Sequence, residues 1–142
     1  MAILIGIDTG RDTGLAVWDT GRRAFRAVAT LHIHRALDAV RSWANDNPGE
    51  VVVYFEDARQ RQFLPRERNA SEYRGKLMGA GSVKRDCEIW EEFAALYGIP
   101  IQFIPPRKGL TKWDAKTFAA VTGWAGRTSN HARDAALLVF GR

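Results

Sequence analysis

Apolar residues fall into short, well-separated runs along the chain. In the first, Ile3, Ile5 and Ile7 alternate with small or apolar neighbours, which predicts a buried strand running into Asp8. A glycine-punctuated turn, Thr9 to Gly14, leads to a second apolar run, Leu15 to Trp18, so the two strands form a hairpin. Ala24 to Ile33 alternates well enough for a third strand. His34 to Asn45 carries Ala36, Leu37, Val40 and Trp43 at helical spacing, and the polar stretch through Pro48-Gly49 stops it. Val51 to Phe55 is a continuous β-branched and aromatic run, the pattern of a central strand buried on both faces, and it too runs into acid at Glu56-Asp57.

The second half is more helical. Residues 58–78 have no clean periodicity and read as a long loop, of a kind that is usually functional or mobile. Gly79 to Tyr97 is the longest helical pattern. Its stripe of Val83, Cys87, Trp90, Ala94 and Tyr97, widened by Ile89, Phe93 and Leu96, covers about half the circumference. That width fits a deep core position and equally a helix packed on both the sheet and a second subunit. Ile99 to Ile104 is a fifth strand, closed by Pro105-Pro106. Asp114 to Val121 reads as a short helix. A last helix runs from His131 to about Phe140, with Asn130 as its N-cap and Ala135, Leu138 and Val139 facing inward. The order β-β-β-α-β-α-β-α-α predicts an α/β fold, residues 1–142 as one domain, with a mixed sheet and helices on both faces.

Composition narrows the partners. No apolar run approaches the roughly 20 residues needed to cross a bilayer. Cys87 is the single cysteine, which excludes an intrachain disulfide or a cysteine zinc site and fits a reducing cytoplasm. The net charge of +5 is unevenly spread. Residues 1–57 carry six Lys/Arg against eight Asp/Glu, whereas 58–142 carry fifteen against eight. Arg59, Arg61, Arg66, Arg68, Arg74, Lys76, Lys84 and Arg85 form a basic segment interleaved with Phe63 and Tyr73, and Arg107, Lys108 and Lys112 form a second. Such clusters are either solvated loops or a grip on a polyanion, with nucleic acid as the default polyanion.

The acids give that polyanion a chemistry. Asp8 and Glu56 end two strands, and His131 and Asp134 project from one face of a helix at i, i+3. Singly, each has an ordinary explanation: Asp8 capping a turn, Glu56 or Asp57 capping the next segment, Asp134 pairing with Arg133, His131 ending a helix. Together they converge if the first and fourth strands are neighbours and the last helix crosses them. Three carboxylates so placed require a cation, and hard oxygen ligands suit Mg²⁺, with Mn²⁺ as a substitute. Two such ions per site are a standard arrangement for phosphodiester hydrolysis, with water as nucleophile. His131 is either a ligand or the base for that water.

The segments IGIDTGRDTGLAVWD, VVVYFEDAR and NHARDAALLV, in this order, resemble the RuvC family of Holliday junction resolvases within the ribonuclease H-like superfamily. The resemblance covers nearly the whole chain, and the small size is similar to the bacteriophage-type members. It implies a five-stranded mixed sheet, the first three strands antiparallel, flanked by helices. It also implies a homodimer that resolves four-way DNA junctions by paired, metal-dependent nicking. By motif position Asp8, Glu56 and Asp134 would be metal-binding carboxylates, and His131 matches a position where relatives carry Asp or His. The loop after Glu56 would meet the junction, with Phe63 as the aromatic near the branch point, and the helix from Gly79 would be a dimer element. Asp57 has no place in that pattern and reads as a supporting group or an additional ligand.

Three other functions compete with a resolvase. A broader nuclease would cut flaps and forks as readily as four-way junctions. A DNA-binding module would bind without cutting. Asp8-Thr9-Gly10 followed by Gly14 also resembles the phosphate-binding hairpin of actin-like ATPases and sugar kinases, which need two such domains. The expected setting for the resolvase is the cytoplasm of a bacterium or of a phage-infected host, with no organic cofactor.

Overall fold

The structure is a computed structural model that describes residues 2–60, 70–106 and 112–142, with residues 70–78 and Ala80 described by their backbone course alone. Its centre is a five-stranded sheet built from β1 (Ile3–Asp8), β2 (Asp12–Asp19), β3 (Ala24–His32), β4 (Val51–Glu56) and β5 (Ile101–Ile104), in the order β3-β2-β1-β4-β5. β1 pairs antiparallel with β2 and β2 with β3, while β1–β4 and β4–β5 are parallel. The mixed sheet expected from the sequence, with its first three strands antiparallel and helices alongside, is therefore the one observed.

Among the described residues four helices cover the sheet: α1 (Ile33–Asp46), α2 (Ala70–Tyr97), α3 (Ala115–Thr122) and α4 (Asn130–Leu137). Side chains alternate between the two faces of a strand, and this sorts the core into two layers. Ile3, Ile5, Ile7, Val53 and Phe55 pack with Ala36 and Val40 of α1 and Cys87 and Trp90 of α2. Leu4, Ala16, Trp18, Phe25 and Val28 pack with Phe118 of α3 and Ala132, Ala135 and Ala136 of α4. Each large side chain so buried contributes roughly 1.5–3 kcal/mol.

Several expectations change in detail. α2 begins at Ala70, nine residues before Gly79, because Gly79 and Gly81 weaken the helical pattern without breaking the backbone run. Of the loop expected over 58–78, Ala58–Gln60 form a 3₁₀ turn and residues 70–78 form the start of α2. The wide stripe on α2 divides into a buried line of Cys87, Trp90 and Ala94 and an exposed end at Leu96 and Tyr97. β4 is not buried equally on both faces. Val51, Val53 and Phe55 are buried and Val52 and Tyr54 half-buried, because α4 lies over β2 and β1 rather than over β4. The N-cap of α4 is Ser129, whose Oγ accepts from the Ala132 amide at 3.2 Å, and Asn130 is the first helical residue.

Candidate active site

Alternation along the strands places the acids. On β1, Leu4, Gly6 and Asp8 share the α4 face, and on β4 Val52, Tyr54 and Glu56 do the same. β1 and β4 run parallel, with Ile7 opposite Phe55, so Asp8 and Glu56 end neighbouring strands at the same edge.

α4 reaches that edge because nothing keeps it away. A β-carbon at Gly6 would collide with the carbonyl oxygen of Ala135, and one at Gly14 with that of His131. With Ala132, Ala135 and Ala136 as its buried face, the helix backbone lies almost directly on β1 and β2. Its first turn is fixed from both sides. Ser129 Oγ also bonds Thr30 Oγ1 on β3. The buried Arg133 donates to the Trp113 carbonyl at 3.0 Å, to the Thr128 carbonyl and hydroxyl at 2.7 and 2.8 Å, and to Asn130 Oδ1 at 2.5 Å.

That placement brings His131 to Asp8, with Nδ1 and Oδ2 3.2 Å apart. Asp134 lies close enough for its charge to act on Asp8 and has Lys112 Nζ 3.2 Å from its Oδ2. Burial raises the Asp8 carboxyl above its ordinary 3.8, and the negative charge of Asp134 adds to the rise, against the lowering effect of His131 and Lys112. Asp134 thus pairs with Lys112, whereas Arg133 is engaged by neutral acceptors.

The donor set is chemically suited to a hard divalent cation: three carboxylates and an imidazole at one sheet edge. Among the described residues no three such side chains meet in a ready-made cation site. Asp8 is turned to His131 and Asp134 to Lys112, while Glu56 has an interaction of its own.

The structure assigns Asp57 a role the sequence left open. It lies on the opposite face from Glu56, buried, and accepts from Arg59 Nε at 2.8 Å, from an Arg59 terminal nitrogen at 3.1 Å and from the Arg59 amide at 3.0 Å. The same terminal nitrogen donates to Glu91 Oε2 at 3.0 Å. Arg59 is therefore engaged within the protein, over the Phe103 ring. Lys84 is exposed on α2, and Arg85 pairs with Glu88 and Glu92 there. Arg74 and Lys76 lie on α2, with only their backbone described. Arg61, Phe63, Arg66, Arg68, Arg107 and Lys108 lie outside the described residues.

No family model matches the chain, and no curated protein matches it in sequence. Among solved structures, T. thermophilus RuvC in complex with Holliday junction substrate superposes with a TM-score of 0.65, over 97% of this chain and 90% of that one, at 17% identity. The chain has the RuvC fold. At that identity the likeness extends to the RuvC-like path of sheet and helices and not to individual side chains.

Gly6, Gly14, Arg133 and Trp90 shape this edge in ways the sequence did not assign to them. Gly6 stands within the first strand, a mark of close backbone approach, whereas Gly14, expected in the turn, lies within β2. Arg133 looked like a surface cation beside Asp134. Trp90 looked like core, yet its indole nitrogen donates to Thr9 Oγ1 at 3.0 Å, next to Asp8.

Proposed function

We propose that this chain is a structure-selective DNA endonuclease that resolves four-way junctions by metal-dependent hydrolysis, as a homodimer in the cytoplasm of a bacterium or phage-infected host. The observation that carries the reading is the contact of His131 with Asp8, with Asp134 alongside, at the edge where β4 delivers Glu56. The RuvC fold of the chain supports it, since that neighbour was solved on a Holliday junction.

In this reading Asp8, Glu56 and Asp134, with His131, hold Mg²⁺, and two ions are the expected complement. When bound, the metal supplies a Lewis acid for the phosphate and a water of lowered pKa. Asp8 orients the imidazole of His131 through Nδ1, which leaves Nε2 either to take a proton from the attacking water or to donate its lone pair to the cation. Lys112, which pairs with Asp134 and whose charge acts on Asp8, is assigned in this reading to the scissile phosphate. Lys84 and the basic residues of 61–76 and 107–108 grip the flanking backbone, making affinity salt-dependent. A C₂ dimer presents two equivalent sites, as symmetric cuts in opposed arms require.

The test is cleavage of a labelled four-way junction beside a linear duplex of the same sequence, with Mg²⁺ or EDTA. Paired nicks near the branch, confined to the junction, lost in EDTA and abolished in Asp8→Asn while binding persists, are the expected result. Equal cutting of both substrates, or of flaps and forks, would assign a broader nuclease. Binding without cutting in Mg²⁺ or Mn²⁺ would assign a DNA-binding module.

A further inference from the structure

The residue after each strand-end acid points to the other face of the sheet, because side chains alternate along the chain. That face is covered by α2. Thr9 follows Asp8, and its Oγ1 accepts from Trp90 Nε1 at 3.0 Å. Asp57 follows Glu56, and its carboxylate is held by Arg59, whose terminal nitrogen donates to Glu91 Oε2 at 3.0 Å. Two consecutive residues of one helix therefore hold the two positions next to the acids, from behind the sheet.

The clamp is rigid where it matters. The Trp90 indole is 1% exposed, edge-on to Phe93 at 5.8 Å and tilted against Phe55 of β4 at 6.1 Å. An indole N–H buried in this way needs an acceptor, and among the described contacts Thr9 supplies it. The turn after Asp8 is also pinned by Thr13 Oγ1, which donates to the Gly10 carbonyl at 2.9 Å. Thr9 is thus the point at which α2 takes hold of that turn.

We propose that Trp90, with Glu91 acting through Arg59, is a positioning device that sets the spacing of the Asp8 and Glu56 carboxylates. The proposal rests on the reading of those two acids as cation-holding groups. Displacements near 1 Å at a reacting site can cost about a hundredfold in rate, so a single buried hydrogen bond next to Asp8 can matter far more to the site than to the fold.

The test uses Trp90→Phe, which keeps a buried ring and removes the donor, and Thr9→Val, which removes the acceptor. Thr9→Ser retains the hydroxyl. Val40→Ala, a cavity in the same core layer on α1, controls for lost stability. Mn²⁺ affinity is read by electron paramagnetic resonance, alongside junction affinity and single-turnover nicking at saturating junction. Trp90→Phe and Thr9→Val are expected to bind junction within about twofold of wild type, to bind Mn²⁺ several-fold more weakly and to nick about tenfold or more slowly. The double variant should lose no more than either alone, and Thr9→Ser and Val40→Ala should match wild type per folded molecule. Unchanged Mn²⁺ affinity in both Trp90→Phe and Thr9→Val overturns the proposal, as does an equal loss in Val40→Ala. A wild type that binds Mn²⁺ but cuts no junction removes the resolvase reading alone, and the positioning role is then decided by the Mn²⁺ affinities. A wild type that binds no Mn²⁺ overturns both.

Discussion

The backbone carbonyl of His131 lies directly over Gly14, with no space between them for a β-carbon. Gly14 stands opposite Asp8 in the β1–β2 register, so the contact that seats α4 on the sheet also sets how far the His131 imidazole stands from the Asp8 carboxylate. Helix, hairpin and candidate site are fixed by one close approach.

Gly14→Ala is accordingly expected to push the first turn of α4 off the sheet. Overpacking of this kind costs about 1–3 kcal/mol, measurable as a lowered urea midpoint. The same substitution should separate His131 from Asp8 and reduce junction nicking by more than the loss of folded protein explains. A fully active, fully stable Gly14→Ala protein would show that α4 can shift without consequence for the site.

Arg133 ties the start of α4 to the segment that precedes α3. Its guanidinium reaches four oxygens on Trp113, Thr128 and Asn130, all neutral, so removing it leaves these part-buried acceptors without their donor. Arg133→Met, of similar volume, should destabilise the fold by about 1.5–3 kcal/mol in urea unfolding. Arg133→Lys should recover little of this, because an ammonium cannot reproduce the planar fork. A neutral result in both would mean that water replaces the guanidinium.

Asp57 gives the protein an acid-dependent component of stability. Burial opposes ionisation of its carboxyl, but the hydrogen bonds and charge of Arg59 more than offset this and hold it below the ordinary 3.8. In the window between the folded and unfolded values the unfolded state binds more protons, so stability rises with pH there. The contribution is present above 3.8 and is lost as pH falls through the lower folded value. Chemical denaturation of wild type and Asp57→Asn across that range should show a steeper acid loss in wild type, and parallel curves would remove Asp57 from the account.

Much of this protein is legible in local sequence. The alternation of Ile3, Ile5 and Ile7, the β-branched run of β4 and the helical spacing of α1 are periodic signals within a few residues, and they led to the observed sheet. Asp8, Glu56, His131 and Asp134 were legible as candidates for the same reason: two end strands, and two share a helix face. Their standing as one site depends on strand order, which the β-β-β-α-β connectivity already constrained.

Tertiary structure decided what depends on distance across the chain. Gly14 meets His131, Thr9 meets Trp90, and Arg59 meets Glu91, each pair joined by packing rather than by sequence neighbourhood. No period marks such pairs, because a glycine that admits a helix and an arginine that braces a carboxylate look locally like a flexible turn and a surface charge. Arg59 is the clearest case: the basic segment around it suggested a hold on phosphates, and only the fold placed Asp57 and Glu91 around its guanidinium. Composition and periodicity determine which groups exist and which face they occupy, while a guanidinium or an indole N–H takes the partner that burial leaves within hydrogen-bond reach.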